Sequence, residues 1–287
     1  MRKRWSTLFL YDSVLVTVRS RAPEVSVRMT AQPYNHERRI DRAHHHLRTL
    51  ESEVEGWVRR EPYTCIDECD VHTGEHVTRI EDIEPAPTEF SLIIGDCLHN
   101  LRAALDNLVY ELAVKKYGGE PLPSEVEQNV MFPIFLREEG YRSRGTERIS
   151  DIDERAQTVI EGLQPYHGAS DYLWILHELA RIDRHRLPHL TLFARQTIGI
   201  HGTDIFRIDT SSAYFRPRGP LEDGAELVRY KTLRPGDTIE QDLSFRFTIA
   251  FPQVSPARGG EAVQTLKMCM ESVQFAAGQL RKFLTSQ

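Results

Sequence analysis

The sequence predicts an α+β protein, a bundle of about five helices with an antiparallel β-sheet in the C-terminal half. Three observations predict it. Apolar residues recur at steps of three and four over much of the stretch from about residue 34 to 187. Between about 190 and 251 they switch to steps of two. A last stripe of helical period then closes the chain from about 260 to 284. Helices first, strands later and a returning helix are the pattern of segregated elements around one core.

Each element follows from its residues. Ile40, Ala43, Leu47, Leu50, Val54 and Trp57 define a first helix that Glu61-Pro62 must end, because proline cannot continue the hydrogen-bond ladder. Residues 63–68 and 76–83 read as short strands around a turn at Asp70 to Gly74. Thr88 is the expected N-cap of a second helix. That helix carries Ile94, Leu98, Leu101, Leu105, Leu108 and Leu112 inward and stops at Gly118-Gly119. A proline-containing loop over 120–132 leads to helices near 152–163 and 170–187, the latter closed by Pro188. Phe206 and Ile208, then Phe245, Phe247, Ile249 and Phe251, alternate with polar residues as in half-buried strands, and Pro235-Gly236-Asp237 supplies a turn between strands near Leu227 to Thr232 and Leu243 to Phe251. Ala262, Leu266, Met270, Val273, Ala276 and Leu280 line the final helix.

Composition narrows the class. With 287 residues, 40% hydrophobic and 27% charged, the chain can bury a substantial core. A net charge of -6 argues against broad nonspecific nucleic-acid binding, although a local basic patch remains compatible with it. Four cysteines are too few for a disulfide scaffold, so a reducing cytoplasm is expected. No apolar run reaches the length of a membrane span. Met1-Arg2-Lys3-Arg4 and the apolar stretch after it resemble a secretory signal, but Asp12 interrupts the run, and Arg19, Arg21 and Glu24 follow it. The expectation is a poorly structured extension over residues 1–30, with Met29 as the candidate true start, and a single domain over 31–287.

The candidate site lies on the second helix. Asp96, His99, Arg102 and Asp106 crowd about three turns beside the leucine stripe, and Arg102 is spaced to reach both His99 and Asp106. Polar groups placed so close to a core form either a structural network or a site. A second cluster, Asp183-Arg184-His185-Arg186 with His189, ends the fourth helix. Asp183 falls on the apolar face with Leu176, Leu179 and Leu187, where a carboxylate needs a cation; Arg102 on the facing helix is the expected partner, and Arg186, three residues on, is another.

Four segments carry a resemblance: Gly95 through Asn107, Phe132-Pro133-Ile134, Leu163-Gln164-Pro165-Tyr166 and Ile182-Asp183-Arg184-His185-Arg186. Together they resemble a family of uncharacterised bacterial proteins over residues 34–190, which implies a shared fold and brings no activity with it. Arg184-His185-x-x-x-His189 also resembles the Arg-polar-x-x-x-His motif of HEPN-type ribonucleases, which are small helical bundles. That resemblance implies metal-independent cleavage at the RNA 2′-hydroxyl, with His189 as general acid or base and Arg184 holding the phosphate. The motif here departs from the pattern in lying at a helix end with Pro188 inside it.

Metal readings are weaker. Cys65, Cys69, His72 and His76 are four potential zinc ligands in twelve residues, but two residues between the pairs is short for a finger. Asp41-x-x-His44 and Asp96-x-x-His99 share the spacing of di-metal bundles without the further carboxylates those need. No metal and no cofactor is therefore expected, and no phosphate loop, dinucleotide fingerprint or nucleophile elbow is present. Two functions stay open at this point. One is a ribonuclease-like enzyme with RNA as partner. The other is a noncatalytic binding module in which the polar network orders the bundle; a homodimer is compatible with either.

Overall fold

The computed structural model describes residues 34–168, 171–201, 207–217, 219–235, 237 and 242–285. The expected N-terminal extension and the alternation at Phe206 lie outside them. Seven helices and seven strands occur among the described residues, an α+β fold. In chain order they are α1 (Asn35–Val58), β1 (Thr64–Asp70), β2 (Glu75–Glu81), α2 (Thr88–Tyr117), α3 (Ser124–Asn129), α4 (Glu138–Gly140) and α5 (Glu154–Gly162). There follow α6 (Asp171–Asp183), β3 (Thr191–His201), β4 (Ile208–Phe215), β5 (Gly219–Pro220), β6 (Ala225–Thr232), β7 (Asp242–Ala250) and α7 (Ala262–Thr285).

The helical stripes are buried as their periodicity requires. Leu50, Ile94, Leu98, Leu101, Leu105, Leu266 and Leu280 are fully enclosed, and one continuous core joins α1, α2, α5, α6 and α7 to the strands. α2 ends where Gly118 turns left-handed at φ 79°, a conformation glycine adopts without steric cost. Its start differs from expectation: Pro87 holds the cap position, and Thr88 is the first helical residue.

Three other details depart from the sequence reading. The loop over 120–132 contains a short helix, α3, opened by Pro123 at the cap. α6 stops at Asp183 rather than near 187, because the amides of His185 and Arg186 both turn back to the Ile182 carbonyl ahead of Pro188. The strands form two antiparallel sheets instead of one, in the orders β1-β2-β6-β4 and β5-β3-β7. The β1–β2 hairpin thus extends a sheet whose other strands come from the C-terminal half, and β6 and β7, expected to flank a turn, belong to different sheets.

Candidate functional site

The structure divides the expected polar network into two parts. The first is a clamp. Arg102 Nη2 lies 3.0 Å from Asp106 Oδ1, one helical turn on, and donates to the Phe132 carbonyl at 2.7 Å. The Phe132 amide in turn donates to Asp106 Oδ1 at 3.0 Å. The ion pair therefore grips both polar groups of one residue in an extended segment that has no ladder of its own to satisfy them. Gln164 does the same on the far side of that segment. Its amide donates to the Pro133 carbonyl at 2.8 Å, and it accepts from the Phe135 amide at 3.0 Å. Burial pushes the Asp106 carboxyl up, opposed by the charge of Arg102.

The second part is a cleft of about 300 Å³ between α2 and α6, lined by His99, Arg102, Ala103, Asp106, Met131, His177, Ala180, Asp183 and Arg184. The expected Asp183–Arg102 ion pair does not form. Asp183 instead rests on the backbone of Gly95, where a Cβ would lie 2.5 Å from Oδ1 and 2.8 Å from Oδ2. Arg102 is held instead by Asp106 and the Phe132 carbonyl. Burial pushes the Asp183 carboxyl above its ordinary range, Asp96 adds like-charge repulsion, and His99 opposes both. The α6 aspartate does face the polar strip of α2 as expected, through Gly95, Asp96 and His99.

Among the described residues, the side chains of His99, Asp183 and Arg184 form no hydrogen bond and no ion pair. Arg102 keeps one buried nitrogen, Nη1, without a partner. His177 is half-buried against the Trp174 ring, 5.7 Å between centroids. Burial, then the charges of Arg102 and Arg184, hold its imidazole below the usual histidine range. The neutral ring can accept a proton or a hydrogen bond.

The remaining expected residues stand apart from the cleft. Asp96 is exposed at its edge, 4.0 Å from His46 on α1. His185 and His189 are exposed on the segment after α6 and are not part of the cleft wall. That segment is tied to the start of α2 by the Ser91 hydroxyl, which donates to the Pro188 carbonyl at 2.7 Å. Sequence reasoning missed His177 and Met131. The signal for His177 was present: residues 177, 180 and 184 follow steps of three and four, which put 177 and 180 on one face of α6 and carry that face on to 184 just past its end. Met131 lies in an extended loop and had no periodicity to reveal it.

Among the described residues no group of three or more histidine, cysteine, aspartate or glutamate side chains is placed to hold a metal ion, and no helix is long and apolar enough to cross a membrane. Comparison with protein-family models, with curated proteins and with solved structures found no match to this chain.

Proposed function

We propose that the α2–α6 cleft receives a phosphate group, and that its chemistry is metal-independent cleavage of RNA in a bacterial cytoplasm. One observation carries the reading: an aspartate, a histidine and an arginine share one open cleft without hydrogen-bonding or ion-pairing one another, while the clamp beside them is extensively hydrogen-bonded. Buried polar groups that serve only the fold are paired; here the partly buried Asp183 is unpaired, and His99 and Arg184 reach solvent at the cleft mouth, where a ligand meets them. A cleft that pushes the Asp183 carboxyl up and holds the His177 imidazole low suits acid–base work.

The roles follow from position. Arg184 at the rim and the Arg102 guanidinium below it supply positive charge for a phosphodiester. Asp183 or His177 takes the proton of the 2′-hydroxyl as its oxygen attacks phosphorus. His99 returns a proton to the departing 5′-oxygen, leaving a 2′,3′-cyclic phosphate and a free 5′-hydroxyl. His189, the acid or base implied by the HEPN resemblance, is outside the cleft wall and takes no part in this scheme.

The test is incubation with short single-stranded RNA in a chelator, comparing wild type with Asp183→Asn, Arg184→Ala and His189→Ala. The proposal expects cyclic-phosphate products from wild type, a loss of 10²-fold or more in the first two variants, and little change in the third. Absence of cleavage removes the enzyme reading. The second reading, a noncatalytic binding module, is favoured by the way Arg102 and Asp106 serve the Phe132 segment.

A further inference from the structure

The β1–β2 hairpin carries a feature that the cleft does not use. Its register sets Cys69 opposite His76, and the next strand sets His76 opposite Tyr230. The His76 ring stacks on buried Tyr230, 4.9 Å between centroids and 9° from parallel, which restrains it. Its Nε2 lies 3.5 Å from the Cys69 sulfur. Cys69 is exposed on the edge strand, as is Cys65 four residues earlier on the same face, while Cys97 and Cys269 are buried.

From this pairing we propose that Cys69 and His76 form a two-pronged, exchangeable site for a zinc-like divalent cation, whose other positions are filled by water. A tetrahedral ion bonded to sulfur at about 2.3 Å and to an imidazole nitrogen at about 2.0 Å holds the two donors about 3.5 Å apart, the spacing already present. The surroundings suit a cation. Asp67 lies two residues before Cys69 on the same face of β1 and accepts from the Thr78 hydroxyl at 2.6 Å. On binding, the thiol releases one proton to solvent as the metal–sulfur bond forms, and the imidazole donates its lone pair without other change. With two protein donors and water, the ion binds weakly enough to exchange.

The experiment is a titration of the reduced, untagged full-length chain with cobalt(II), followed by absorption. The expected result is one equivalent bound, with a thiolate-to-cobalt charge-transfer band and one proton released per ion. The band is abolished by Cys69→Ser and by His76→Gln, retained in Cys65→Ser, and bleached by added zinc. Circular dichroism confirms that the variants fold, and Cys69→Ser alters only an exposed position. No band in the wild type, a band that survives Cys69→Ser, or one abolished by Cys65→Ser overturns the proposal.

Discussion

The carboxylate of Asp183 is seated directly on Gly95, in space that any larger residue at position 95 would fill. This contact lets the end of α6 approach the N-terminal third of α2 and brings Arg184 and Asp183 to one cleft with His99. Gly95→Ala should therefore destabilise the protein by about 1–3 kcal/mol, the usual cost of overpacking, even though alanine is the better helix former. The double variant Gly95→Ala/Asp183→Ala removes the obstructing carboxylate and should recover wild-type stability or exceed it. Urea denaturation of the three proteins checks both expectations, and a well-tolerated Gly95→Ala would show that the helices do not meet this closely.

The Arg102–Asp106 pair predicts a different kind of loss. Replacing Arg102 by alanine strands a largely buried carboxylate and frees the Phe132 carbonyl, which should cost about 3 kcal/mol. Asp106→Ala should cost a similar amount, and the double variant less than the sum, because both residues hold the same segment. Hydrogen exchange at the Phe132 amide should accelerate in either variant. Gln164→Ala should do the same at Phe135, whose amide it holds.

His177 sets a direction for acid stability. Its folded pKa lies below the ordinary value of about 6.5, so in the window between the two the unfolded chain binds more protons than the native state. Stability from this group is therefore lost as pH falls below about 6.5. Asp183 has the opposite sign. Its raised pKa means that the folded state takes up a proton more readily, which favours the fold as pH falls. Between pH 7 and pH 5 thermal melts should show a smaller drop for His177→Gln than for wild type, and on going down to pH 4 a larger drop for Asp183→Asn. Unchanged drops in both variants would contradict these assignments.

How much of this was legible beforehand follows from the range over which each signal acts. The core faces of α1, α2 and α7 were readable because a helix buries a fixed stripe, and residues such as Leu50, Leu98 and Leu280 fall on it whatever the tertiary structure. The Arg102–Asp106 contact was readable for the same reason, since it is local to one helix. The partner of Asp183 was not. Choosing between Arg102 and Gly95 depends on where the Phe132 segment runs, and that segment has no period. Strand existence was readable from alternation, but sheet membership depends on pairing over long separations, such as Glu75 with Lys231. The end of α6 was misplaced by four residues because Pro188 disturbs the turn ahead of it rather than only its own position.

The central claim is that the α2–α6 cleft takes a phosphate group through Arg184 beside the free carboxylate of Asp183. Its most direct test is the affinity of a short, fluorescently labelled RNA made uncleavable by 2′-O-methylation, measured by anisotropy at fixed salt. Loss of one charge-assisted contact in Arg184→Ala should weaken binding about tenfold, and removal of the opposing charge in Asp183→Asn should tighten it. Equal affinity across wild type and both variants would contradict the account.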